Sequence, residues 1–204
     1  DLTVLVAAEL ALQGESPLQL ALSSAAIDES VVRRIIHLGG MDALSVVNAG
    51  GATAFQLAFG QEHPISDELL FELISLDSGE LACHEDHLGD IPLSIAIMNS
   101  SVLSENVLLA LLEHTLAKMD VFDPRIAKFV TKAFSVGNFS SAYGITDTVR
   151  GPETSVVKFH RFFDTLMSCW GRYCVAVAGR QIVVADSPVN AALSNPKVSE
   201  DLLL

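Results

Sequence analysis

The sequence predicts a mainly α protein: a stack of helical hairpins followed by a C-terminal helix and a β-hairpin. Three observations carry this. One pattern occurs three times, as Ser16-Pro17-Leu18-Gln19-Leu20-Ala21, Thr53-Ala54-Phe55-Gln56-Leu57-Ala58 and Ile91-Pro92-Leu93-Ser94-Ile95-Ala96, in steps of 37 and 38 residues. A second pattern keeps the same beat in steps of 38 and 38: Asp28-Glu29-Ser30-Val31-Val32, Ser66-Asp67-Glu68-Leu69-Leu70 and Ser104-Glu105-Asn106-Val107-Leu108. Self-similarity at a period of about 20–50 residues marks stacked repeats. Near the C-terminus, two β-rich runs flank Gly179-Arg180, which reads as a two-residue hairpin turn.

The first helix of each copy starts at a residue suited to it. Pro17 and Pro92 fit a first helical position, where no amide is needed. Ser16 offers a hydroxyl to an orphan amide. Small Ala21, Ala58 and Ala96 allow close helix approach. The second helices open with acids, which suit the positive end of the helix dipole. Val31, Val32, Ile35, Ile36 and Leu38 then run at helical spacing, as do Leu69, Leu70, Leu73, Ile74 and Leu76, and Val107, Leu108, Leu111 and Leu112. Gly39-Gly40 and Gly79 stop the helices. Each hairpin is too short to bury its apolar face alone, so neighbours must stack.

These blocks resemble the Thr-Pro-Leu-His-x-Ala opening of an ankyrin repeat. Val31–Gly40 is similar to that family's second helix and closing glycine, and Ser45–Gly51 to the run before the next repeat. The resemblance covers residues 14–123. It implies an array whose concave face and protruding turns bind other proteins. Gln19, Gln56 and Ser94 stand where the family prefers His, whose ring helps join neighbouring turns. Ala54 and Ile91 replace members of the Thr-Pro pair, and the period exceeds the family's roughly 33 residues. A different helical-hairpin solenoid is the structural rival.

After Asp123 the repeat fades. Asp123-Pro124 starts another helix, with Ile126, Ala127, Phe129, Val130 and Phe134 on one face, suited to a terminal cap. Residues 135–152 read as a loop or linker. Ser155–Trp170 reads as a helix, Tyr173–Ala178 and Gln181–Asp186 as the two strands of the hairpin, and 187–204 as a tail. The expected organisation is therefore a repeat array with cap at 1–134, a linker at 135–152, and a helix, hairpin and tail at 153–204.

Half of the 204 residues are hydrophobic and only 18% are charged. Either the helices are well buried, or partners cover part of the surface. The net charge of −13 argues against nucleic acid, which needs clustered Lys and Arg, and against an anionic membrane surface. No apolar stretch is long enough to insert into a membrane, and no targeting segment is visible. Starting at Asp1 rather than Met, the chain reads as processed or as part of a longer protein. Three cysteines, Cys83, Cys169 and Cys174, give no disulfide framework and favour a reducing intracellular compartment, either cytoplasm or organelle interior. Asn99-Ser100-Ser101 and Asn138-Phe139-Ser140 match glycosylation sequons only at the level of a short pattern.

For chemistry, Cys83-His84-Glu85-Asp86-His87 is the densest cluster of metal or acid–base groups. Adjacent residues rarely face one point, and no second Cys/His pair stands at metal-site spacing. The segment reads as a protruding polar turn that contacts a partner or solvent. His160 and Cys169 stand at opposite ends of one predicted helix, a poor geometry for a nucleophile and its base. No phosphate loop, nucleophile elbow or His-Glu-x-x-His occurs.

The expected function is a non-catalytic interaction scaffold, an accessory or structural subunit that needs no cofactor and whose partners are other protein subunits. Asn48, Gly51, His84, Asp86, His87 and Arg180 are the expected contact residues. The alternative is a regulatory or catalytic fragment of a longer enzyme, with its chemistry in the C-terminal region.

Overall fold

The structure, a computed structural model, describes residues 15–24, 28–61, 65–99, 102–135 and 160–178. It is mainly α. Eight helices are described: α1 (Pro17–Ser23), α2 (Glu29–Ser45), α3 (Ala54–Phe59), α4 (Asp67–Leu76), α5 (Pro92–Met98), α6 (Glu105–Leu116), α7 (Pro124–Ser135) and α8 (His160–Ala178). A 3-10 turn, Leu81–Cys83, precedes α5. Among the described residues no strand forms, only an isolated antiparallel bridge between Val47 and Thr53. No described helix is long and apolar enough to cross a membrane. The chain divides into two compact units, Asp1–Leu103 and Ser104–Leu204.

In the N-terminal unit, side chains fix where each helix begins. Ser16 accepts from the Gln19 amide at 3.2 Å, and the Gln19 carboxamide oxygen accepts from the Ser16 amide at 2.7 Å. Thr53 and Gln56 repeat this reciprocal cap at 3.1 and 2.8 Å. Two orphan amides are satisfied at each start. At the third copy Ile91 has no side chain to offer, and Pro92 removes one of the donors that would need a cap. The second helices α2 and α4 start from Asp28 and Ser66, which accept from the Ser30 and Leu69 amides. Within α2 the backbone breaks at Gly40, where φ is 55° and ψ is −141°. The expected glycine stop thus becomes a kink between two helical pieces.

Packing follows the repeat. α1 packs on α2 and α3, α2 on α4, and α3 on α5. The core holds Leu18, Leu22, Ile36, Phe55, Phe59, Leu70, Leu73 and Leu93. Phe55 and Phe59 meet edge to face, with ring centres 5.2 Å apart.

In the C-terminal unit, α8 packs on α6 and α7. Ser104 caps α6 through the Val107 amide, and Asp123 accepts from the Arg125 amide at the start of α7. The expected helix up to Trp170 forms from His160 onward. The expected first strand does not form, because Tyr173–Ala178 continues α8. The physical reason is periodicity. Phe162, Leu166, Cys169, Trp170 and Tyr173 are all buried, and they recur every three or four residues along one helix face. Trp170 and Tyr173 also stack with ring centres 5.4 Å apart. Helical spacing therefore overrides the β preference of a short Val-rich run. The second expected strand and the tail lie outside the described residues.

Candidate interaction surface

The expected contact residues meet in two turns of one build. In the first, the Asn48 amide donates to the Ala52 carbonyl at 2.9 Å and the Gly51 amide to the Asn48 carbonyl at 2.9 Å. The Asn48 side-chain oxygen then accepts from the amides of Gly50 and Ala52, at 2.9 and 3.0 Å. In the second turn, Asp86 takes the same role 38 residues on. Its amide donates to Asp90 at 3.1 Å, and its carboxylate accepts from the amides of Leu88 and Asp90 at 2.9 and 2.8 Å. Asn and Asp suit this task because their short side chains reach the backbone two residues ahead. Gly51 and Gly89 close the turns with φ of 78° and 72°, a region that favours glycine.

The turns stack directly. The His87 amide donates to the Gly50 carbonyl at 3.0 Å, and His84 Nε2 lies 2.9 Å from the Gly51 carbonyl oxygen. A Cβ on Gly51 would fall 2.5 Å from the His87 ring and 3.0 Å from its amide nitrogen. The close approach therefore requires glycine on two counts.

Buried glutamines anchor each turn from beneath. Gln19 Nε2 donates to the carbonyls of Val46 and Ala52, at 2.8 and 3.4 Å. Gln56 Nε2 donates to those of His84 and Asp90, at 3.2 and 2.7 Å. These residues were not among the expected contacts, although Ser16-x-x-Gln19 and Thr53-x-x-Gln56 carry the capping-box signature openly. The third copy has Ser94, too short for the same reach.

The Cys83–His87 segment is engaged structurally. His84 and Asp86 serve the turns, and the His87 backbone joins them. Among the described residues no group of three or more His, Cys, Asp or Glu is arranged to hold a metal. Asn48, Gly51, His84, Asp86 and His87 are thus brought together, whereas Arg180 lies outside the described residues. Leu88, at the tip of the second turn, is 82% exposed, and Val47 beside the first is also exposed.

The sites expected to be chemically inert can be located in part. Cys169 is buried, and burial pushes its thiol up, with Arg172 partly offsetting this. Burial raises the Cys174 thiol as well. Compared with protein-family models, characterised proteins and solved structures, the chain matches none.

Proposed function

We propose that the chain is a non-catalytic protein–protein interaction scaffold, an accessory or structural subunit of a larger assembly, built as an ankyrin-like stack of helical hairpins. The observation that carries this reading is the pair of locked, stacked turns at 48–52 and 86–90. Their backbones are held by side chains from within and by buried glutamines from below. Binding to such a surface needs little further ordering, which is a main cost of association. Leu88 projects from this frame, and an apolar side chain held on a rigid turn is a suitable anchor for a partner pocket. The acidic balance supports protein partners over nucleic acid.

The test is co-purification from the native source with crosslinking, comparing the native chain with Leu88→Asp. One stoichiometric partner, crosslinked around 47–52 and 84–90 and lost in the variant with its helical content unchanged, supports the reading. No stoichiometric partner, or one retained equally by the variant, overturns the assignment of this surface.

A further inference from the structure

The first hairpin of the N-terminal unit lacks a cover that its successors have. Thr53, Ala54 and Phe55 at the start of the second copy are buried, and so are Ile91, Pro92 and Leu93 at the third. At the first copy Ser16 is half-buried and Pro17 exposed. The second helices show the same offset. Val31 is 47% exposed, whereas Leu69, 38 residues on, is fully buried. Leu38 is 73% exposed, against 38% for Leu76. The second copy is covered because α1 and α2 pack on α3 and α4. On the first copy the corresponding face is an open groove of about 590 Å3, lined by Pro17, Leu18, Ile35, Leu38, Asp42 and Val46 among others.

Charge indicates what fits there. Residues 1–103 contain fifteen Asp and Glu but only Arg33 and Arg34, so they carry the whole net charge of −13; residues 104–204 balance ten against ten. Arg33 is paired with Glu29 and Glu72, each at 3.2 Å. Asp42 lines the groove and Glu15 precedes it. Another acidic unit of this kind would be repelled, and a basic surface attracted.

We propose that this groove seats a basic helical hairpin from a partner protein, stacked in the register that α1–α2 adopt on α3–α4. This goes beyond the function proposed above, because it uses different residues from the two turns. The warrant is continuity: the same face, one period along, is an interface already formed within the chain.

The test uses Leu38→Cys in the full chain as a reporter, with maleimide labelling read at that position by mass spectrometry. A second copy of residues 16–52, one full period, is inserted between Glu15 and Ser16. One version keeps the native sequence; the other carries lysine at the inserted equivalents of Asp28 and Asp42. The expected result is that the lysine version slows labelling of the original position by about tenfold or more. The native version should slow it less, with the difference shrinking at high salt. No protection from either insert overturns the seat. Equal protection from both at low salt overturns the basic preference. In the chain without insert, protection in the monomer assigns the groove to the chain's own residues. Protection that grows with concentration, alongside a dimer mass, assigns it to a second copy. Either overturns the proposal. None of these outcomes bears on the Leu88→Asp test of the turns.

Discussion

Glu29 holds the start of the next second helix: its carboxylate accepts from the Ser66 amide at 2.6 Å and from the Ser66 hydroxyl at 2.7 Å. Ser66 in turn caps α4. Glu105 does the same for α8, accepting from the amides of Arg161 and Phe162 at 2.7 and 3.1 Å. An acid at the opening of one second helix thus grips the opening of another, where exposed amides favour negative charge.

The Glu29 link makes stability depend on acid. Burial pushes the Glu29 carboxyl up, but hydrogen bonds from Ser66 and the attraction of Arg33 outweigh it and hold it below its ordinary 4.5. A depressed carboxyl contributes stability that is fully present above its unfolded value and is lost as pH falls through its folded value. Urea midpoints measured from neutral pH downward should therefore fall below pH 4.5, and Glu29→Gln should fall less steeply over that window. Parallel acid limbs for the two proteins would show that the carboxylate is not linked to folding. Asp123, held down by Arg125 against the opposing effect of burial, should add a second step below 3.8.

Removing Gln56 should be costly for its size. Gln56→Ala deletes the reciprocal cap and both bonds to the second turn, and leaves buried partners unpaired. Together these should cost about 2–4 kcal/mol by denaturant titration. Gln61→Ala removes one bond within its own neighbourhood, to the Leu57 carbonyl at 2.8 Å, and should cost about 1 kcal/mol or less. Equal losses for the two variants would contradict the anchoring role.

Gly51 and Gly40 separate two kinds of glycine requirement. Both have positive φ, but a Cβ on Gly40 would meet nothing within 4 Å. Gly40→Ala should cost about 1–2 kcal/mol from the backbone alone. Gly51→Ala adds a clash with His87 and should cost more, about 2–4 kcal/mol. His87→Ala should recover part of that difference, leaving the contact with the backbone amide. Thermal unfolding of the three variants and the double mutant decides it; no recovery would place the strain elsewhere.

Thiol labelling checks the absence of a cysteine nucleophile in the C-terminal unit. Near neutral pH, Cys169 should react slowest of the three cysteines, rising only as pH exceeds the ordinary 9.0. Urea should erase the difference. Fast labelling of folded Cys169 near neutral pH would revive the enzyme-fragment reading.

Much of the helical order was legible because it is written locally. Pro17, Ser16, Ser66 and the Leu69–Leu73 spacing are start signals and faces that act within one or two turns of chain. The two turns were legible as polar punctuation around Asn48 and Asp86. The glutamine anchors were missed as site elements because their partners lie 27 to 34 residues away. Tyr173–Ala178 misled for a related reason. Its β-rich composition is local, whereas the burial of Cys169, Trp170 and Tyr173 that makes it helical comes from packing on α6 and α7.

The double commitment of Gln19 and Gln56 has a consequence for how the unit comes apart. Each oxygen closes a cap inside its own hairpin, while each nitrogen closes the turn of the next. Neither glutamine is satisfied until both hairpins are in place, so the two sets of bonds form and break together. Fraying of one hairpin removes the support of its neighbour's turn, and the region from Ser16 to Asp90 should melt as one cooperative block rather than repeat by repeat.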